Sequence, residues 1–312
     1  MLRQIKKILP GKFKTFLVIV LATKNWFNIL LTVFLLQQEV LAVFRSGYRF
    51  KVSRKIWPEF MNYVSFFRYF PSGEINDSRV KIKYKSKNLI FNVGKLNPNF
   101  LSEVFGWEAY KSFLGDFDAR DKSVVDIGAA LGDTAIYFAV QGAKKVYAFE
   151  PLPELCRLAE ENIKINKLEN ICHVFNAGVG KEKNMACSKN MNFEYMYGSK
   201  IKEYKNKEAI QKEATQIIVL QDIVNKFKIS NAILKIDCEG CEYEIILNTT
   251  DEVLKRFGCI LMEYHYGFEN LKAKLEGADF RVKYTKPFGA LRPEREKNRQ
   301  NMSVGYLAAY RD

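Results

Sequence analysis

Short apolar runs that close on a polar or acidic residue recur along the last two thirds of the chain, and between them apolar positions fall three and four apart. The first pattern is that of strands buried on both faces and the second that of helices with one packed side. The runs predict strands at 122–127, 145–150, 171–176, 215–220, 232–237, 258–265 and 303–310. Helices are predicted at 134–141, 153–166 and 221–227, the second carried by Leu155, Leu158, Ala159, Ile163 and Ile165. Strand and helix alternating at these spacings make βαβ units, so the fold class is α/β with a mostly parallel sheet. Residues 176–180, Asn-Ala-Gly-Val-Gly, read as a small, turn-prone strand exit. Residues 181–213 and 287–300 carry no clear period and read as long loops.

The front of the chain has a different texture. Phe16 to Ala22 and Trp26 to Leu36 are the most apolar stretches, and 25–38 is the longest run there without a charge, shorter than a membrane span requires. The polar positions Asn25, Asn28 and Thr32 form one thin stripe on an otherwise apolar helix. Packing or dimerisation is the first expectation for it, contact with a membrane surface the second and a true span the last. A hairpin follows around Ser46-Gly47, then a helix opened by Pro58 and closed by Pro71-Ser72-Gly73, a second hairpin over 80–93 and a helix over 99–113. The chain thus divides into a small α+β appendage, residues 1–115, and a main domain, residues 116–312.

Candidate chemistry sits at the strand ends. The stretch Val124-Val125-Asp126-Ile127-Gly128-Ala129-Ala130-Leu131-Gly132-Asp133-Thr134 has two glycines of the phosphate-cradling fingerprint, but Asp133 stands where the third belongs. Carboxylates at Asp126 and Asp133 disfavour a pyrophosphate and favour a ligand with a cationic head and no phosphate, a description that S-adenosylmethionine fits. Glu150 closes the next strand 24 residues beyond Asp126, where a carboxylate can accept from two ribose hydroxyls. Ligands on open α/β sheets bind outside the carboxyl ends of the strands, so Asp126, Glu150 and Asp237 are expected on one rim.

Together with Ala148-Phe149-Glu150-Pro151, Asn176-Ala177-Gly178-Val179-Gly180 and Leu234-Lys235-Ile236-Asp237-Cys238-Glu239-Gly240-Cys241-Glu242, this stretch resembles the FkbM family of class I S-adenosylmethionine-dependent methyltransferases. The segment Lys-Ile-Asp-x-Glu-Gly-x-Glu is its specific part, and the likeness runs from about residue 122 to 284. It implies a Rossmann-like sheet with its last strand antiparallel, and a cofactor site of Asp126, Gly128, Ala129, Gly132, Asp133, Thr134, Glu150, Pro151, Asn176 and Ala177. It also implies O-methylation of a sugar, glycan, lipid-linked or other small hydroxyl acceptor. A front segment covering the cofactor makes Phe105, Trp107 and Tyr110 candidates for a lid, with interdomain packing as the alternative.

Four ionisable side chains, Asp237, Glu239, Glu263 and His265, then cluster where the methyl group would leave. His265 is the expected general base, because an imidazole titrates near neutrality. Asp-Cys-Glu-Gly replaces the Asn/Asp-Pro-Pro-Tyr/Phe found in enzymes acting on exocyclic amines, which favours a hydroxyl acceptor. A Mg²⁺ ion on these carboxylates is a less favoured variant, and no residue is assigned to a metal. His173 is expected in the core.

Charge and cysteines add little that is decisive. The formal net charge is +14, of which residues 1–55 hold eleven Lys/Arg against Glu39 alone. This basic front, residues 1–45 above all, suits an anionic membrane face, so the expected location is cytoplasmic, with peripheral contact at the inner membrane face. It would also suit RNA, but no RNA-binding module accompanies it, so an RNA methyltransferase is the alternative and nucleic acid is not an expected partner. A binding protein on the same fold that has lost catalysis is the other alternative. The six cysteines form no secreted framework; Cys238, Cys241 and Cys259 are read as packing residues rather than as zinc ligands with His265.

Overall fold

The computed structural model describes residues 11–36, 38–114, 117–187, 214–287 and 303–311; the side chains of 11–14, 113–114, 184–187 and 214 lie outside that description. The chain forms two compact units, Met1–Trp107 and Glu108–Asp312. The basic residues Arg3, Lys6 and Lys7, most of the 181–213 segment and the 288–302 segment fall outside the described residues.

In the first unit, helices α1 (Gly11–Ala22) and α2 (Trp26–Leu30), the latter continued by a π-helical turn at Leu31–Leu35, precede a two-stranded ribbon, β1 (Val40–Val43) and β2 (Arg49–Val52). Helix α3 (Trp57–Tyr69) starts with Pro58 in its first turn, where a missing N–H costs nothing. Then come β3 (Glu74–Asn76), β4 (Arg79–Tyr84) and β5 (Lys87–Asn92), an antiparallel sheet in the order β3-β4-β5. Phe44, Phe60 and Phe67 form an aromatic centre, with Phe44 and Phe67 rings 4.6 Å apart. Phe105 is buried against Tyr84 and Phe91, so it is core of this unit and not a lid. The expected single helix over 99–113 is broken into a π-helical turn, Ser102–Gly106, and α4 (Ala109–Leu114), because Glu108 takes a left-handed φ of 47°.

The second unit is built on β6 (Ser123–Ile127), β7 (Lys145–Phe149), β8 (Cys172–Phe175), β12 (Ala232–Ile236), β13 (Phe257–Tyr264), β14 (Arg281–Tyr284) and β15 (Gly305–Tyr310). Among the described residues these make a seven-stranded sheet in the order β14-β15-β13-β12-β6-β7-β8. β8, β7, β6, β12 and β13 run parallel, while β15 is antiparallel to both β13 and β14. Helices α5 (Asp133–Val140), α6 (Pro153–Ile165), α7 (Leu220–Phe227), α8 (Cys241–Asn248), α9 (Asp251–Leu254) and α10 (Glu269–Gly277) connect and cover it. The core runs through both faces: Val124, Val125, Ile233, Leu234, Ile260 and Leu261 have no exposure to solvent. This is the Rossmann-like α/β sheet expected, with β14, α8, α9 and α10 as elements the apolar pattern did not mark.

Two expectations are corrected by a small second sheet, order β10-β11-β9, formed by β9 (Gly178–Gly180), β10 (Asn184–Cys187) and β11 (Ala214–Val219). The 176–180 segment is thus a strand as well as an exit, and β11 leaves the main sheet to pair parallel with it. Ile217 packs closely over Gly178 in this register: a Cβ there would lie 2.5 Å from Ile217 Cδ1.

The turn after β6 rests on one glycine. Gly128 has φ +75°, and a Cβ there would fall 1.8 Å from the Asp237 carbonyl oxygen. Gly142 also has a left-handed φ, +98°, but a Cβ there would meet only the flexible Arg120 side chain. Gly128→Ala should therefore destabilise the protein by about 2 kcal/mol or more and Gly142→Ala by about 1 kcal/mol. Urea titrations of the two variants give the comparison, and equal losses would show that the backbone contact at Gly128 is not limiting.

Candidate functional site

The carboxyl edge of β7, β6 and β12 is stitched together through backbone. Gly128 and Ala129 N–H both donate to the Phe149 carbonyl, at 3.0 and 3.1 Å, and Asp237 N–H donates to the Ile127 carbonyl at 3.0 Å. Glu150 then accepts from Ala130 N–H through Oε2 and from Leu152 N–H through Oε1, both at 2.9 Å. Each of its oxygens keeps a second lone pair. Asn176 is exposed and donates its amide to the carbonyls of Glu150 (3.0 Å) and Pro151 (3.1 Å), tying the β8 exit to the β7 exit. Gly128, Ala130, Pro151 and Asn176 present the open side of this rim, while Ala129, Gly132, Thr134 and Ala177 are buried behind it.

Beneath the turn lies a group that the reading of strand-end acids did not include. Lys235, 1% exposed, places Nζ 3.0 Å from Asp126 Oδ1 and 2.8 Å from the Gly128 carbonyl. Thr134 donates its hydroxyl to Asp126 Oδ2 at 2.6 Å. Burial alone would drive the Lys235 ammonium to lose its proton, but Asp126 first, then Asp237 and Asp133, hold its pKa above the usual lysine value.

Of the three acids expected on this rim, Asp126 and Glu150 are fully buried and Asp237 is partly exposed. Asp126 is consumed by Lys235, and burial pushes Asp133 and Glu150 up to about 7 each, against the pull of Lys235 and of backbone N–H groups. Lys235 left its trace in the Lys-Ile-Asp motif, since a charged residue inside an apolar strand has to be paired.

Beyond β12 the chain turns through Glu239 (φ 58°) and Gly240 (φ 118°) into α8. Cys238 and Cys241 are joined across this turn by a disulfide, their Cα atoms 5.5 Å apart. They are not packing thiols, because the turn itself brings them within bonding reach, and neither has a thiolate left for zinc. Cys259 lies near the opposite end of β13 from His265. Cys156, Cys172 and Cys259 are buried thiols, as expected.

Glu242, fully buried on α8, accepts from Gly240 N–H through Oε2 (2.9 Å) and from His265 N–H through Oε1 (3.0 Å). His265 Nδ1 lies 2.9 Å from the same Oε1, and its Nε2 lies 3.6 Å from Glu239 Oε2. Burial tends to lower the His265 pKa, but the Glu242 hydrogen bond and charge, with Asp237 and Glu239, outweigh it and raise the group to about 9. With Nδ1 engaged by Glu242, Nε2, on the Glu239 side, is the nitrogen of His265 left to exchange a proton. Glu242 was written in the family motif but carried no assigned role; its signal was an acid one turn into a helix at a strand tip.

Asp237 accepts a long hydrogen bond, 3.4 Å, from the Tyr110 hydroxyl, and Tyr110 packs edge-on to Tyr306 at 5.7 Å. Tyr110 is the one lid candidate found at this edge, carried there by α4 as part of the second unit. Glu263 follows the Met262–Ile236 register pair and so stands at the strand position beside Asp237. Asp237, Glu239 and Glu263 are partly exposed, so a ligand can reach them. Among the described residues no three acids, cysteines or histidines gather as a metal site.

His173 belongs elsewhere. It is half-buried at the open edge of β8, in an apolar groove of about 570 Å³ with Tyr147, Phe175 and Phe227, and is not a core residue. Burial, then Lys145, lowers its pKa from 6.5.

These features are those of a nucleotide-type cofactor rim on an α/β sheet with an acidic cluster at its side. Residues 126–282, about half of the chain, match the model of the FkbM methyltransferase domain. The chain belongs to the FkbM family of class I S-adenosylmethionine-dependent methyltransferases. It is 47% identical over 57 residues to the ribosomal protein L11 methyltransferase of Carboxydothermus hydrogenoformans, covering 18% of this chain and 19% of that one. It is 30% identical over 86 residues to protein arginine N-methyltransferase 1 of Oryza sativa, covering 27% and 22%. The chain thus spans about a fifth of the length of the curated relatives it matches. The solved structure of the M. jannaschii tRNA m1G37 methyltransferase superposes with TM-score 0.41 at 15% identity, over 76% of this chain and 57% of that one.

The two buried clamps give two measurable consequences. Lys235→Met leaves Asp126 buried without its partner and should cost about 3–5 kcal/mol in urea unfolding, while adding Asp126→Asn should recover much of it; an additive double variant would contradict the pairing. The two histidines should titrate far apart by NMR, His173 below 6.5 and His265 near 9. Glu242→Gln should bring the upper value down sharply. Because the folded pKa of His265 exceeds its ordinary 6.5, its contribution to stability is full below 6.5 and is lost as pH rises through about 9.

Proposed function

We propose that the second unit transfers a methyl group from S-adenosylmethionine to a hydroxyl oxygen of a small-molecule or glycan acceptor. The observation that carries this reading is the pairing of a built nucleoside rim, Glu150 over the Gly128 turn, with a partly exposed acid cluster at the neighbouring strand tips. Glu150, with a lone pair left on each oxygen, would hold the ribose hydroxyls; Gly128 and Pro151 would line the nucleoside and Asn176 its base, with Ala129 and Ala177, buried behind them, backing the rim. Gly132, Asp133 and Thr134 shape the turn and the first helical turn that face the cofactor, with Asp126 acting through Thr134 and Lys235. When bound, the donor supplies a sulfonium methyl: the new carbon–oxygen bond forms as the carbon–sulfur bond breaks, its electron pair stays on sulfur, and the hydroxyl proton leaves.

Glu239 is the group we assign to take that proton, because it is partly open to solvent and faces the fixed charge of His265 at 3.6 Å. His265, held by Glu242, is a positioning residue in this reading. Asp237 and Glu263 would bind the acceptor hydroxyls. No step requires a metal, and the Mg²⁺ variant has no residue assigned to it.

Glu150→Ala should weaken S-adenosylmethionine binding at least about tenfold by calorimetry. Glu239→Gln should lower kcat about a hundredfold with little change in KM. With Glu239 as base, kcat of the parent enzyme should stay level from neutrality to about 9, where His265 titrates. A rise in rate through that pH with Glu239→Gln harmless would return the base role to His265. Labelled methyl found on nitrogen, or in RNA, would overturn transfer to oxygen.

A further inference from the structure

Apolar residues are expected inside the first unit, yet part of its front is turned inside out. Phe27 is 60% exposed, Leu35 73% and Leu36 55%, while Ile29 and Val33 on the same helical segment are fully buried. Phe27 and Phe34 lie seven residues apart, on the side away from Ile29 and Val33, so the segment buries one apolar stripe and shows another. Leu21 and Leu41 are also about half exposed.

The ribbon next to it adds charge to the same kind of surface. Register pairs Leu41 with Lys51 and Val43 with Arg49, and directly paired residues point to one side of a sheet. Leu41, Lys51 and Arg49 are exposed, Lys51 in an ion pair with Glu39, whereas the alternate positions Ala42 and Val52 are buried. Asn25 ties ribbon and helix together: its amide donates to the Leu41 carbonyl (2.8 Å) and its oxygen accepts from Val43 N–H (2.9 Å). Lys24 is exposed beside it, and Arg45 caps the end of α1 by donating to the Leu21 and Val20 carbonyls while its charge stays in solvent.

We propose that this face docks on an anionic lipid bilayer, lying in the interface with Phe27, Phe34 and Leu35 below the headgroups and Lys24, Arg45 and Arg49 at their level. A second copy of the chain would repeat the same charge, with eleven basic residues against one acid over 1–55, and like charges would oppose it. An anionic surface complements that charge and takes up the apolar side chains at once. Among the described residues no helix is long and apolar enough to cross a membrane, so the contact is with one leaflet. This inference is independent of methyl transfer in the second unit.

Flotation of the full chain with vesicles of phosphatidylcholine alone, or mixed with phosphatidylglycerol, tests it. Binding is expected only to the mixed vesicles and should fall as salt is raised. Lys24→Glu and Arg49→Glu should each weaken it about fivefold or more. Phe27→Ser with Leu35→Ser should weaken it at least about tenfold. Both positions are exposed, and unchanged circular dichroism and melting would show that the fold is kept. Equal binding to neutral vesicles, no binding to either, or a dimer dispersed by the Phe27 and Leu35 substitutions would overturn the proposal.

Discussion

An ammonium and a carboxylate sealed under the Gly128 turn are the constraint on which the second unit depends. Lys235 and Asp126 occupy paired register positions on β12 and β6, so their side chains meet on one face with no solvent between them. Removing both charges from water is costly, and the pair is tolerable because Thr134 and the Gly128 carbonyl satisfy what the ion pair leaves over. Through those two bonds the pair also holds the first turn of α5 and the loop above it. The rim on which a nucleoside would rest is a consequence of how this one charge pair is satisfied.

A second buried acid does the same at the other end of the motif. Glu242 binds the backbone of Gly240 and of His265 and the imidazole of His265, which joins α8 to the tip of β13. Tyr243 adds to the joint by accepting from Tyr266 N–H and donating to the Gly267 carbonyl. Lys-Ile-Asp-x-Glu-Gly-x-Glu thus has structural residues at its two ends and solvent-reachable carboxylates, Asp237 and Glu239, in its middle. The left-handed Glu239 and Gly240 are the strained link that points the middle outward, and such strain persists only where neighbours hold it on both sides.

The first unit solves a different problem. A cluster of Phe44, Phe60 and Phe67 forms its apolar centre. It does not use all the apolar surface that the chain supplies: Phe27, Phe34, Leu35 and Leu36 remain exposed on the α2 segment. Isolated exposed leucines are ordinary in proteins; a run of them with a charge rim indicates a surface with a partner.

Strands, their order of use and the acids at their ends were legible because a doubly covered parallel sheet needs unbroken apolar runs, and its connections leave a regular imprint. Phe149 followed by Glu150, or Ile236 followed by Asp237, could be placed at a strand tip without coordinates. Pairing could not be read in this way. That β11 pairs with Gly178–Gly180 instead of the main sheet, with Ile217 packed over Gly178, and that Cys238 meets Cys241 across one turn, are contacts no local pattern specifies. Charge partners were still further from view: a buried Glu242 touches His265 and raises its pKa, and Asp126 is not free to meet a ligand because Lys235 pairs with it. Local sequence determined the elements and the chemistry they carry, since periodicity and side-chain type act over a few residues. Which groups neutralise one another was decided only by tertiary structure, because electrostatic energies depend on distance and burial, and neither is set until strands far apart in the chain lie side by side.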